Sequence, residues 1–149
     1  VIQSYLHRSL DDILHLANED FNSRICKGIY KESESIAFQS REEIKDNYLS
    51  LAKTMAAKNA YSGFATHDQD LIDRLLIWIE SENISKDLFE FQVLYGVPMS
   101  GRLEMLLEAG YKVRVYVPYG PDWFDYSVRR LKENPKIVSY VLKNFFRKR

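Results

Sequence analysis

Cysteine is almost missing from this chain, with Cys26 alone in 149 residues. No disulfide can close within it, and a lone thiol suits a reducing compartment such as the cytoplasm. Charge of one sign is not in excess: 21 Lys and Arg stand against 21 Asp and Glu. Without a net basic field, bulk binding of nucleic acid is not indicated, because phosphates must be met by cations. No apolar run reaches the roughly 20 residues that cross a bilayer. No glycine-rich phosphate fingerprint follows the first apolar segment, which argues against a dinucleotide-binding fold. His7, His15 and His67 are scattered, and no carboxylate–histidine spacing suits a metal site. Low-complexity linkers and strict repeats are also missing.

What remains is the mix of a soluble globular domain, 46% hydrophobic and 28% charged, long enough for a real core. Short apolar runs alternate with amphipathic stretches. Residues 1–6 read as a strand, and because the chain opens in mid-strand, further chain is expected upstream. Ser9 reads as the cap of a helix with Leu10, Ile13, Leu14 and Ala17 on its apolar face. Residues 24–29 read as a second strand. Ser40-Arg41-Glu42-Glu43 has the form of a capping box before a helix carrying Ile44, Tyr48, Leu51, Ala52 and Met55. Residues 61–66 read as a third strand, followed by a helix with Leu71, Ile72, Leu75, Leu76 and Ile79 on one face. Phe89–Leu94 reads as a fourth strand. A helix from Arg102 to Glu108 is stopped by Gly110. Residues 113–117 read as a fifth strand. Pro121 opens a helix to about Glu133, Pro135 breaks it, and an amphipathic helix closes the chain.

Five βα units in a row predict a parallel sheet with helical crossovers. Periodicity alone does not choose between a doubly wound sheet and a (β/α)8 barrel. Units of roughly 20–40 residues fit a barrel of eight units in about 250 residues, of which five would be a fragment. In both architectures ligands bind at the C-terminal ends of the strands. Gln3, Arg24, Lys27-Gly28, Thr66-His67-Asp68, Glu90, Gln92, Arg114 and Tyr116 sit on or just after these strands. Lys27 offers a point charge to phosphate and Gly28 a close backbone approach, although a turn beside a surface lysine is an even match. Thr66 or Asp68 is first of all a helix cap. On a helix, Glu133 falls four residues after Arg129 and three after Arg130, so it can orient either guanidinium as a carboxylate clamp. A solvated charged face is the commoner fate of such a group.

At these residues the chain resembles the proline dehydrogenase family. Arg24-Ile25-Cys26-Lys27-Gly28-Ile29-Tyr30 is similar to its motif of arginine, two apolar residues, lysine, glycine, alanine and tyrosine. Phe64-Ala65-Thr66-His67-Asp68, the strand from Phe89 to Gly96, Val113 to Gly120, and Tyr126 to Glu133 follow in order. The resemblance implies a distorted (β/α)8 barrel, here strands four to eight, that binds FAD. It implies oxidation of L-proline to 1-pyrroline-5-carboxylate with electrons passed to a quinone. Arg24 would sit near the reactive flavin nitrogen. Gln3, Lys27, Gly28, Ile29, Thr66 and His67 would contact FAD. Arg129 and Arg130 would bind the proline carboxylate, steadied by Glu133. Tyr30, Leu94, Tyr116 and Tyr126 would wall the pocket, with Tyr116 counted beside Arg24 among the catalytic residues.

Several positions depart from the pattern. Ile29 replaces a small residue and Cys26 an apolar one. Lys31 and Asp68 stand where bifunctional proline-utilisation flavoproteins have tryptophan and asparagine, so the chain looks more like the stand-alone bacterial type. The family's substrate-binding lysine and catalytic aspartate would lie upstream of Val1. Residues 1–134 are read as barrel and 135–149 as a terminal helix. Its stripe of Ile137, Val138, Val141, Leu142, Phe145 and Phe146 is expected to pack on the barrel, with peripheral membrane contact the other option. A non-catalytic fragment that binds a partner chain or pairs with a separately encoded half is a competing reading, and a doubly wound phosphate-binding protein without redox chemistry is a third.

Overall fold

The structure is a computed structural model that describes residues 1–117 and 119–121. The helices expected after Pro121, and with them Tyr126, Arg129, Arg130, Glu133 and the terminal stripe, lie outside the described residues. Five strands alternate with four helices: β1 (Ile2–Gln3), α1 (Ser9–Leu16), β2 (Asn22–Cys26), α2 (Arg41–Ala57), β3 (Tyr61–Ala65), α3 (Gln69–Ser81), β4 (Phe89–Leu94), α4 (Arg102–Glu108) and β5 (Val113–Tyr116). A single 3₁₀ turn, Lys86–Leu88, leads into β4.

All neighbouring strands are parallel, and their order in the sheet is their order in the chain. A doubly wound sheet reverses strand order at a switch point and covers both faces with helices. Neither feature occurs among the described residues. Ile25, Phe64, Phe89, Phe91 and Val93 point to one face and share a core with Ile13, Tyr48, Leu51, Met55, Leu71, Leu75 and Leu106 from the helices. An aromatic cluster sits at its centre, with Phe64 stacked on Phe89 at 5.3 Å and Phe91 edge-on to Tyr111 at 5.7 Å. Burying each such side chain contributes about 1.5–3 kcal/mol. Strand alternation then sends Gln3, Arg24, Cys26, Gly63, Ala65, Glu90, Gln92, Leu94, Arg114 and Tyr116 to the opposite face. None of these belongs to the helix-covered core.

The helix ends explain the tight spacing. The capping box at α2 forms as expected: Ser40 Oγ accepts from the Glu42 amide and Glu43 accepts from the Ser40 amide. Asn59, Asn83 and Gly110, all at positive φ, close α2, α3 and α4. In each case the next residue's amide returns to a carbonyl five residues back: Ala60 to Met55, Ile84 to Ile79, Tyr111 to Leu106. This left-handed turn stops each helix and turns the chain back toward the sheet.

The N-terminal region differs from the sequence expectation. Residues 1–6 give only a two-residue strand, because the chain turns after Gln3. Arg8, not Ser9, occupies the cap position of α1, and it makes no side-chain cap. The Ser9 hydroxyl instead donates to the Gln3 carbonyl at 2.6 Å, tying the helix to the end of β1. Leu14, expected on the apolar face, is 48% exposed, since that face is filled by Leu10, Ile13 and Ala17. The second strand is Asn22–Cys26 rather than residues 24–29, for a reason that lies at Gly28.

Candidate functional site

The C-terminal strand ends gather most of the described residues singled out from sequence. Gln3 pairs with Cys26 across β1 and β2, Cys26 with Ala65, Ala65 with Gln92, and Leu94 with Tyr116. Lys27-Gly28 follows β2 directly and Thr66-His67-Asp68 follows β3, so the two motifs become neighbours. Lys27 Nζ donates to Asp68 Oδ2 at 2.7 Å. Asp68 is also the cap of α3, accepting from the Leu71 amide. Burial works against its ionised form, but the hydrogen bond and charge of Lys27 outweigh it, so its pKa falls below the usual carboxylate value. Buried Thr66 accepts from the Asp68 amide, which tightens the turn. The capping reading of this segment is therefore correct, and the cap is also the anchor for Lys27.

His67 bridges two strand ends. Its Nε2 accepts a hydrogen bond from the Leu94 amide at 2.9 Å. An accepting Nε2 places the ring proton of a neutral imidazole on Nδ1. Burial, then the positive charges of Arg24 and Lys27, depress its pKa and keep it neutral. The ring thus holds the end of β4 and retains one donor.

Gly28 has φ +96°, and a Cβ there would overlap the Tyr5 ring. Sequence alone suggests that Gly28 lets a ligand come close, but the group against its Cα is Tyr5, which is buried. This backbone conformation also ends β2 at Cys26. Beyond it the chain leaves the sheet, with Ile29 and Tyr30 exposed, and returns where Leu6 bridges Ala37.

Arg24 lies mid-strand on the uncovered face, and its side chain makes no ion pair or hydrogen bond among the described residues. Two strands away, Glu90 is only 7% exposed. Burial disfavours its charge, but hydrogen bonds from Arg114 and Gln92 more than compensate, and the carboxyl stays below its ordinary range. Arg114 donates through both Nε and Nη2, the latter at 3.0 Å, Gln92 Nε2 donates at 2.7 Å, and the Tyr61 hydroxyl donates at 3.3 Å. Sequence alone puts Glu90, Gln92 and Arg114 on strands without assigning them a role. The available signal was parity: a carboxylate interleaved with Phe89 and Phe91 needs a cation on a neighbouring strand. Among the described residues, no group of three or more His, Cys, Asp or Glu could hold a metal ion. No described helix is long and apolar enough to cross a membrane.

The family model for proline dehydrogenase matches residues 1–143. The chain belongs to the proline dehydrogenase family. It is 40% identical to proline dehydrogenase 1 of Bacillus subtilis (strain 168) over 148 residues, covering 99% of this chain and 49% of the relative. It is 37% identical over 147 residues to the proline dehydrogenase of Deinococcus radiodurans, covering 99% and 47%. The chain therefore spans about half the length of the curated family members it matches. Among solved structures it is similar to proline utilization A (PutA) from Bdellovibrio bacteriovorus inactivated by N-propargylglycine, with TM-score 0.75 and 28% identity. That match covers 89% of this chain and 16% of the larger one. A Bradyrhizobium japonicum PutA mutant matches with TM-score 0.73 and 25% identity, over 89% and 16%. The parallel five-stranded α/β fold is thus similar to part of these PutA proteins.

Proposed function

We propose that this chain forms strands four to eight of a (β/α)8 barrel that oxidises L-proline to 1-pyrroline-5-carboxylate with FAD and passes the electrons to a quinone. The observation that carries the reading is an Arg24 guanidinium that has no partner among the described residues, on a sheet face that no described helix covers, in a chain of this family. Sequential parallel order with helices on one side is what an arc of such a barrel requires, and the uncovered face is then the barrel interior. In this reading residues 1–134 would belong to the barrel and 135–149 to a C-terminal amphipathic helix.

The residues suit a flavin. Arg24 cannot lose its proton, and neutral His67 has a donor left on Nδ1. Gln3, Lys27, Ile29, Thr66 and, through its backbone polar groups, Gly28 would complete the contact set at the strand ends. FAD, when bound, supplies the hydride acceptor. Arg24 would favour the negative charge that develops there, because a fixed cation in a dry site needs no reorganisation. Asp68 restrains Lys27 so that its ammonium keeps one position. Arg129 and Arg130 replace the hydration lost by the proline carboxylate, and Glu133 holds them. Tyr30, Leu94, Tyr116 and Tyr126 form the wall of the substrate pocket.

The experiment is steady-state kinetics of the full-length protein with proline and a soluble quinone, flavin occupancy being read from absorbance. Losing one buried charged contact costs about 2–5 kcal/mol. At about 1.4 kcal/mol per factor of ten, Arg129→Met or Arg130→Met should lower kcat/KM for proline roughly 30-fold or more. Flavin content should change far less. Normal kcat/KM in both variants would remove the clamp. A full-length protein without flavin or proline turnover would favour the non-catalytic reading.

A further inference from the structure

Three residues form a row across the uncovered face: Arg24 on β2 is in register with Gly63 on β3, and Gly63 with Glu90 on β4. At about 4.8 Å per strand spacing, the Cα atoms of Arg24 and Glu90 are roughly 10 Å apart. The residue between them has no side chain. An arginine and a buried glutamate facing each other over such a gap are within mutual reach, and pairing would be the default. Yet Arg24 has no ion-pair partner among the described residues, and Glu90 is fully engaged elsewhere.

Two groups account for this. Arg114, on the far side of Glu90, grips both carboxylate oxygens. Gln92 folds back over Gly63, so that a Cβ at Gly63 would collide with its amide, and from there it donates to Glu90 Oε1. The amide therefore occupies the gap through which Arg24 would approach. Gly63 is needed because this slot is already filled.

We infer that Gln92 and Arg114 are positioning residues that hold Glu90 away from Arg24 and so keep the Arg24 guanidinium free to face the flavin. The inference rests on the proposal that the uncovered face holds the flavin. If Arg24 were captured by Glu90, its charge would be neutralised locally and drawn across the sheet. The acceptor would then lose its stabilising cation.

The test uses the full-length holoenzyme with Gln92→Ala. This change is neutral, so a fixed Arg24 leaves the field at the flavin unaltered. The inference predicts a lower flavin midpoint potential, a kcat reduced about tenfold or more, in line with the loss of one preorganised charged group, and an Arg24–Glu90 ion pair in the crystal structure. Gln92→Ala combined with Glu90→Gln should match the potential and kcat of Glu90→Gln alone, because no carboxylate remains to capture Arg24 and the charge lost with Glu90 is the same in both. A merely structural role for Gln92 gives no such match. An unchanged potential in Gln92→Ala, or a double variant impaired relative to Glu90→Gln alone, overturns the inference. Should Gln92→Ala lose its flavin, Arg114→Gln with and without Glu90→Gln decides the matter by the same Arg24–Glu90 distance in crystals. Failure of the flavin reading itself would already show in the wild-type protein, as absence of bound flavin or of proline turnover.

Discussion

Gly28→Ala is the substitution whose cost can be built most directly from the structure. Two penalties act together. A φ of +96° is outside the regions open to an alanine. Holding a residue there costs on the order of 1–3 kcal/mol. The new methyl also overlaps the Tyr5 ring, a buried side chain with little room to retreat. Overpacking of this kind adds about 1–3 kcal/mol. The sum is about 2–6 kcal/mol against a typical stability of roughly 5–15 kcal/mol, so the variant folds but is markedly weakened. The assay is denaturant unfolding of the full-length protein, arranged as a double-mutant cycle with Tyr5→Ala. Removing the ring relieves the overlap but not the backbone strain. The two changes should therefore couple favourably by about 1–3 kcal/mol, the share assigned to overpacking. A Gly28→Ala protein as stable as wild type would refute both terms, and strictly additive effects would refute the contact with Tyr5.

Asp68→Asn should cost about 1 kcal/mol or less, since it loses a partly exposed ion pair with Lys27 yet keeps a good cap. Asp68→Ala should lose about 1 kcal/mol more, and equal unfolding midpoints for the two would contradict the capping role. His67 has a lowered folded-state pKa, so its stabilising contribution is complete above the unfolded value of about 6.5 and is lost as pH falls through the folded value. Unfolding measured at stepped pH should show this acid loss in wild type and a flatter profile in His67→Asn; identical profiles would remove His67 as its source. Tyr116→Ser should shift the ratio of kcat/KM values from proline towards hydroxyproline, and an unchanged ratio would take Tyr116 out of the pocket wall.

Local chemistry was readable in the sequence wherever a short pattern decided it. Ser40 and Glu43 announced their capping box, Gly110 its helix end, and the interleaved Phe89, Phe91 and Val93 a strand with one buried face. Arg24, Lys27 and His67 could be nominated because they follow or lie on apolar runs. Asn59 and Asn83 passed unnoticed because asparagine marks a left-handed turn less strongly than glycine. Ser9 looked like a cap because its bond to the Gln3 carbonyl is tertiary. The network of Glu90 with Arg114, Gln92 and Tyr61 joins three strands, and no single segment contains it. The pairing of Lys27 with Asp68 and of His67 with the Leu94 amide depends on strand register, which periodicity does not set.

If the proposed function holds, the sheet face that no described helix covers, with its strand ends, is the flavin and proline site. The most direct measurement is a crystal structure of the full-length protein with FAD and a proline analogue that cannot be oxidised. The flavin ring is expected over this face, the Arg24 guanidinium within hydrogen-bond distance of it, and the analogue between the ring and Tyr116. A flavin seated elsewhere, or an Arg24 turned away from it, would overturn this assignment.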